Sequence, residues 1–206
     1  MDRAPFDIPA DLDTPVSAFL KLAPLAPRFL LESVEGGERV GRYSVLGFGD
    51  AEEIRVDAEL PPTPGGRSRA DPQAFLAPLR AALAAAPRLA PESPGLPFAG
   101  GLVGAIGFGA TRRLESLPCR AARSSDEPDA LFVAPRSVLV FDHVTRKAAL
   151  LHAGGESERR DLHAEVVRAL RAGIATPPPT RSTERVRASL DRGAFIAAVL
   201  RGKVLT

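Results

Sequence analysis

The stretch LFVAPRSVLVFDHVTRKAALLH, residues 131–152, contains three short apolar runs in close succession. The runs cover residues 131–134, 137–141 and 148–152. Valine, phenylalanine and leucine dominate them, and apolar runs of this length between polar residues and a proline are typical of strands. We therefore predict three short strands that follow one another directly in the chain.

The residues nearer the start of the chain predict a second group of strands. Residues 28–34 and 41–48 are mainly apolar, and residues 35–38 between them contain the Gly-Gly pair of a turn. We predict that these two strands form a hairpin. The alternation of apolar and charged residues at 54–57 predicts a third strand.

Helices are predicted at four places between and after these strands. Thr14-Pro15 and Asp71-Pro72 each combine a capping side chain with a proline that fits the first helical turn. Apolar residues at helical spacing mark residues 159–172 and the segment after Asp191. Because the helices interrupt the strands without a regular βαβ alternation, we predict an α+β fold with mainly antiparallel sheets and interspersed helices.

The composition excludes several classes of protein. The 206 residues include 27 basic and 25 acidic side chains without a basic stripe, which does not favour nucleic-acid binding. The single cysteine, Cys119, allows no disulfide within the chain and no Cys/His metal cluster, which indicates a cytoplasmic protein. No signal peptide precedes the first apolar residues, and no apolar stretch reaches the roughly 18 residues of a membrane span.

The end of the first predicted strand carries the clearest candidate for ligand binding. Glu32 and Ser33 are neighbours there, and neighbours on a strand point to opposite faces. A carboxylate that turned inward would need a cation, for which the ammonium group of a ligand is suitable. The alternative is a strand end whose polar side chains lie in solvent. Arg39 or Arg42 across the hairpin could equally form a surface ion pair.

Three other features have structural explanations that we favour. The glycine-rich run 100–109 lacks both a phosphate-loop lysine and the dinucleotide-binding spacing, so we predict a buried strand with close backbone contacts. Asp142-His143 follows an apolar run and is more typical of a turn than of an acid–base pair. Cys119 lies in a predicted loop, and the sequence identifies no partner that would activate its thiol.

Several blocks of residues, taken together, resemble the opening region of anthranilate synthase component I. Each block alone is weak, but they occur in the family's order and at similar spacing, and they cover most of residues 10–145. The blocks are TPVS at 14–17, FLLESVE at 29–35, GRYS at 41–44, the series Gly100-Gly101, Gly104, Gly107, Arg112, Glu115 and Leu117-Pro118, and the series Pro128-Asp129, Phe132 and VFDH at 140–143.

The resemblance implies a function and an effector site. The family converts chorismate and an amino group into anthranilate and pyruvate for tryptophan synthesis, and a glutamine amidotransferase subunit supplies the ammonia. L-tryptophan inhibits it at a site that includes the Leu-Leu-Glu-Ser strand. On this resemblance Glu32 and Ser33 contact tryptophan, and Arg42 and Ser44 on the facing strand order the pocket.

The resemblance also predicts a domain organisation. Residues 1–183 correspond to the family's amino-terminal regulatory domain, and residues 184–206 to a truncated start of the chorismate-binding catalytic domain. The family's catalytic and Mg²⁺-binding residues lie in that second domain, so we expect no catalytic residue, no cofactor and no metal site in this chain, and no activity from it alone.

Two other functions remain open at this point. Aminodeoxychorismate synthase component I, of the folate pathway, belongs to the same superfamily, although the LLES and GRYS blocks favour the tryptophan enzyme. A stand-alone, non-catalytic amino-acid-binding module is the other alternative.

Overall fold

The described part of the chain is an α+β structure built on one antiparallel sheet. This computed structural model describes residues 6–32, 41–57, 70–92, 95–118, 128–174 and 188–203. The strands are β1 Phe6–Pro9, β2 Pro27–Leu31, β3 Tyr43–Val56, β4 Val103–Ile106, β5 Ala130–Asp142 and β6 Lys147–His152. The helices are α1 Pro15–Lys21, α2 Pro72–Ala85, α3 Thr111–Leu114, α4 Glu156–Arg171 and α5 Arg192–Lys203, with 3-10 turns at Ala23–Leu25 and Phe108–Ala110.

Strand β5 is the central strand of the sheet. Among the described residues the strand order is β1-β6-β5-β3-β2, with β4 paired to β5, and every pairing is antiparallel. One edge of β5 pairs with β3 along almost its whole length. The other edge pairs first with β4 and then with β6. The hairpin predicted from the early strands is confirmed as the β2–β3 pair, and its predicted turn at 35–38 lies outside the described residues.

Two predicted strand breaks are wrong. The predicted strands at 131–134 and 137–141 are one strand, β5, and those at 41–48 and 54–57 are one strand, β3. The register shifts between Phe48 and Ala51, where Gly49 has a φ of 75°, and Pro135 pairs with Ala51 beside this bulge. A bulge disrupts the ladder locally, so the missing N–H of the proline is tolerated inside a continuous strand.

The sheet is buried on both faces around β5. Leu139 and Phe141 belong to one core cluster, which α1 and α4 cover, whereas Val138 and Val140 belong to a cluster on the opposite face. All four side chains are at most 2% exposed. Because successive side chains of a strand point to opposite faces, burial on both faces explains why this run is apolar at every position.

The four predicted helices are confirmed, three of them together with their capping residues, whereas α4 begins at Glu156, three residues before the predicted start. Thr14 accepts a hydrogen bond from the Ser17 N–H at 3.0 Å, and Ser17 Oγ accepts one from the Thr14 N–H at 3.0 Å. Asp71 and Asp191 each cap a following helix through a backbone N–H, at 2.9 and 2.8 Å. These side chains satisfy N–H groups that the first helical turn leaves without partners.

The glycine-rich run is less buried than predicted. Its strand, β4, pairs with the first residues of β5, and its last three residues are exposed. The predicted close backbone contact is confirmed at Gly104, because a Cβ there would overlap the carbonyl oxygen of Leu131 and Cα of Phe132. Gly104 is therefore needed for the close approach of β4 to β5, although β4 is largely exposed.

The chain divides into two compact units, Met1–Ala175 and Thr176–Thr206. The second unit contains α5, whose apolar side chains Phe195, Ile196 and Leu200 are 60%, 46% and 58% exposed. The predicted domain boundary between residues 183 and 184 stays a prediction. None of the helices in the described ranges has both the length and the apolar character of a bilayer span.

Truncating a core residue of β5 should lower the free energy of unfolding far more than truncating an exposed one. Leu139→Ala removes a fully buried side chain, and we expect a loss of about 2–5 kcal/mol in urea denaturation. Leu131→Ala in the same strand is the matched control, because Leu131 is 38% exposed, and it should cost less than about 1.5 kcal/mol. Equal losses for both variants would contradict the central position of β5.

Candidate functional site

A cavity of about 490 Å³ opens where β2, β3 and β5 come together near the start of α1. We call it the Glu32 cavity. Its lining comes from the link between β1 and α1, the end of β2, the start of β3 and the turn after β5. The lining residues are Ala10, Asp11, Asp13, Thr14, Pro15, Glu32, Gly41, Ser44, Phe141, Asp142, His143 and Arg146.

The strand register brings two of the predicted tryptophan contacts to this cavity. Leu31 pairs with Val45, so continuing the register by one residue places Glu32 level with Ser44. Both lie on the face of the sheet that carries Leu30 and Leu46 into the core. Ser44 is 1% exposed, whereas Glu32 is exposed at the mouth of the cavity.

The wall of the cavity at the end of β5 is held by an ion pair between a buried carboxylate and a guanidinium that is 41% exposed. Arg42 binds Asp142 with two hydrogen bonds, from Nε to Oδ1 at 3.1 Å and from Nη2 to Oδ2 at 2.8 Å. The Asp142 side chain is 2% exposed and also accepts a hydrogen bond from the Val144 N–H at 3.0 Å. The Arg42 guanidinium holds the pKa of Asp142 below its usual value, and it outweighs burial, which acts in the opposite direction.

Arg42 therefore does not pair with Glu32 across the hairpin, which was one alternative from the sequence. Its partner is Asp142, 100 positions further along the chain, and its guanidinium also lies 4.9 Å from the centre of the Tyr43 ring. Arg42 orders the wall of the cavity without being among its lining residues. Ser33 and Arg39 lie outside the described residues.

His143 belongs to the site although the sequence favoured a turn for it. The predicted turn is confirmed, because His143 lies in the turn between β5 and β6 and Asp142 accepts the Val144 N–H. His143 also contacts Ser44, with 2.8 Å between Nε2 and Ser44 Oγ. No local pattern in the sequence indicates this contact. It depends on the pairing of β3 with β5, which brings together two residues 99 positions apart.

The acidic residues of the cavity differ in their partners. Asp13 lies 2.8 Å from Lys21 Nζ and accepts a hydrogen bond from Ser17 Oγ, so it supports α1. Glu32 and Asp11 form no ion pair with any described residue, and Arg146 in the same lining likewise forms none within those ranges. The cavity thus presents two carboxylates and one guanidinium that are open to a ligand.

The described residues do not provide a metal site. Within those ranges, no group of three or more His, Cys, Asp or Glu side chains is arranged to hold a metal ion.

Comparison with known proteins defines the class of this chain. The family model for chorismate binding enzymes matches residues 26–203. The chain therefore belongs to the chorismate binding enzyme family.

Two relatives within that class have the same name. The chain is 38% identical over 199 residues to anthranilate synthase component 1 of Thermus thermophilus, with 93% of this chain and 41% of that protein covered. It is 36% identical over 162 residues to the Pseudomonas aeruginosa protein of the same name, with 74% and 32% covered. The chain thus spans about two fifths or less of these relatives.

A solved structure is also similar to this chain. The crystal structure of anthranilate synthase component I from Streptococcus pneumoniae aligns with a TM-score of 0.46 and 18% identity, over 84% of this chain and 37% of that one.

Removing the guanidinium of the Arg42–Asp142 pair should destabilise the fold in a pH-dependent way. The lowered pKa of Asp142 means that the pair stabilises the fold above the ordinary carboxyl value of 3.8, and that this contribution is lost as pH falls through the lower folded-state pKa. Arg42→Met should therefore cost up to about 3 kcal/mol at neutral pH, since it leaves a buried carboxylate without its cation.

Urea denaturation of both proteins at neutral and acid pH measures this effect. The difference between wild type and Arg42→Met should shrink once the pH falls below 3.8. The control is Arg88→Met, which breaks an exposed ion pair in which Arg88 Nη1 lies 3.5 Å from Glu92 Oε1. It should lower the free energy of unfolding by less than about 1 kcal/mol at any pH. A penalty for Arg42→Met that does not change with pH would contradict this account of Asp142.

Proposed function

We propose that this chain forms the amino-terminal, effector-binding part of an anthranilate synthase component I, and that its Glu32 cavity binds free L-tryptophan. The observation that carries the proposal is the cavity itself, because its lining brings Glu32 and Ser44 together with the cationic Arg146. Relatives of this chain are named anthranilate synthase component 1, which supports the tryptophan branch over the folate branch.

The charges of the cavity suit a zwitterion. A free amino acid carries an ammonium group and a carboxylate on the same carbon atom. Glu32 is the acceptor that we assign to the ammonium group, and Arg146 is the donor that we assign to the carboxylate. Asp13 and Asp142 are already paired with Lys21 and Arg42, so they hold the walls in place.

The remaining surface of the cavity suits an aromatic side chain. Ala10, Pro15 and Phe141 provide apolar contacts among the polar groups, and the volume of about 490 Å³ lies within the range of small-molecule sites. Ser44 and His143 lie between the apolar and charged parts, where the Ser44 hydroxyl can hydrogen bond to a ligand while His143 fixes its position.

Inhibition would follow from a difference in affinity between two arrangements of the complete enzyme. Tryptophan would shift the population toward the arrangement it binds more tightly, with a coupling of typically about 1–3 kcal/mol. We place chorismate chemistry, with the amidotransferase partner that supplies ammonia, in the part of the relatives that these 206 residues do not match. A cytoplasmic location fits a biosynthetic enzyme of this kind.

Tryptophan binding to the purified chain tests the effector site. We expect L-tryptophan to shift the backbone amide signals of residues around Glu32, Ser44 and His143 in a saturable way, with a millimolar Kd. Binding should be weak because we propose that the complete site is shared with residues these 206 do not include. D-tryptophan and indole-3-propionate, which lacks the ammonium group, should bind at least about tenfold more weakly.

A pair of matched variants assigns the binding to Glu32. Glu32→Gln should weaken L-tryptophan binding about tenfold, because it removes the charge opposite the ammonium group. Glu53→Gln removes an equal charge from an exposed position of β3 outside the cavity lining and should leave the Kd unchanged. Equal effects of the two variants, a micromolar Kd for the isolated chain, or no saturable shift would each contradict the proposal.

An activity assay tests the division of labour. We expect the purified chain to form no anthranilate from chorismate, ammonia and Mg²⁺, because we place the catalytic residues in the part of the relatives that this chain does not match. Anthranilate fluorescence that rises above an enzyme-free control measures the product. A turnover that scales with protein concentration would overturn this part of the proposal while leaving the tryptophan site intact.

A further inference from the structure

We propose that a second cavity, beside the middle of β5, binds a small organic cation with a primary ammonium group and a short apolar body. The cavity measures about 470 Å³, and we call it the His152 cavity. Its lining shares no residue with the Glu32 cavity. Ser137 lines the His152 cavity and Asp142 lines the Glu32 cavity, and these two residues are five positions apart on β5, which corresponds to roughly 16 Å.

The floor of the His152 cavity contains a buried imidazole with an unused ring nitrogen. His152 is 5% exposed and pairs across the sheet with Ser137, whose Oγ lies 3.0 Å from Nδ1. The other nitrogen, Nε2, forms no hydrogen bond with any residue in the described ranges. Glu158 Oε1 is 3.2 Å away, but its alignment is not that of a hydrogen bond.

The unused nitrogen provides an acceptor for a ligand. When the Nδ1–H of His152 donates to Ser137 Oγ, Nε2 presents a lone pair. A buried polar atom without a partner is unfavourable, so a ligand N–H that reached it would be stabilising. The Glu158 side chain covers Nε2 but is 62% exposed, so it can rotate and place its carboxylate on the other side of the ammonium group.

The walls of the cavity select a cation. Glu158, Asp161 and Glu165 line it from one face of α4, where residues three, four and seven positions apart lie side by side. Like charges at this spacing repel one another, and a bound cation would relieve that repulsion. Asp50 adds a fourth carboxylate from β3, against the two guanidinium groups of Arg28 and Arg136.

Two features make this a shaped site for an organic molecule. Pro24, Leu25 and Leu162 form an apolar part of the lining, and the volume is far larger than a bare ion requires. Gly154 lies against the floor, and a Cβ there would overlap both the Glu158 carboxylate and His152 Nε2. The absence of a side chain at Gly154 therefore allows Glu158 and His152 to approach each other.

Titration of the full chain with n-butylammonium, followed by NMR, tests the site. We expect saturable shifts of the His152 ring signals and of the α4 amides near Glu158. At equal concentration 1-butanol and butyrate should not produce them, and ammonium chloride should bind at least about tenfold more weakly. Equal shifts with 1-butanol would contradict the proposed selectivity for a positive charge. Equal affinity for ammonium would contradict the proposed recognition of an apolar body.

Two glutamate variants on α4 locate the binding. Glu158→Gln should weaken n-butylammonium binding about tenfold, because the carboxylate beside His152 is lost. Glu156→Gln makes the same charge change on the same helix outside the cavity lining and should leave affinity unchanged. Both positions are exposed, so unchanged amide spectra of the free proteins establish that each variant is folded. Equal weakening in both variants, or none in Glu158→Gln, would overturn the proposal.

Discussion

The pairing of β5 on both edges is the constraint on which the other elements depend. A strand in the middle of a sheet must give every backbone N–H and C=O a partner, and β5 obtains them from β3, β4 and β6. Both faces of its second half are covered, so the run from Val138 to Phe141 is apolar without interruption. The register of each neighbouring strand then decides which side chains meet at its two ends.

The Glu32 cavity is a direct consequence of that register. Tyr43 pairs with Asp142, which places Arg42 beside the last residue of β5 and closes an ion pair with the buried Asp142 at the corner of the sheet. Because the Asp142 side chain is almost inaccessible, the guanidinium is what makes its charge tolerable there. The Arg42–Asp142 pair fixes this corner of the sheet, and the neighbouring cavity residues Glu32 and Arg146 remain open to a ligand.

Local signals in the sequence predicted the elements, whereas contacts between distant residues decided the site. Thr14, Asp71 and Asp191 reveal helix starts because capping involves only neighbouring residues. The continuity of β3 and β5 could not be predicted, because Pro135 is accommodated only by a bulge in another strand. The Arg42–Asp142 and Ser44–His143 contacts join residues about 100 positions apart and required the sheet register.

The Glu32 cavity at the end of β5 and the His152 cavity beside its middle differ in how their acidic side chains are compensated, and this difference determines what each cavity can recognise. Near Asp142, two carboxylates have cationic partners, Glu32 and Arg146 remain, and exposed Asp11 adds a negative charge at the mouth. A molecule with both charges fits that arrangement. Beside His152, four carboxylates face two guanidinium groups, so the excess is negative and favours a cation. We therefore propose two sites along one strand, with selectivities that come from the helices and turns around it.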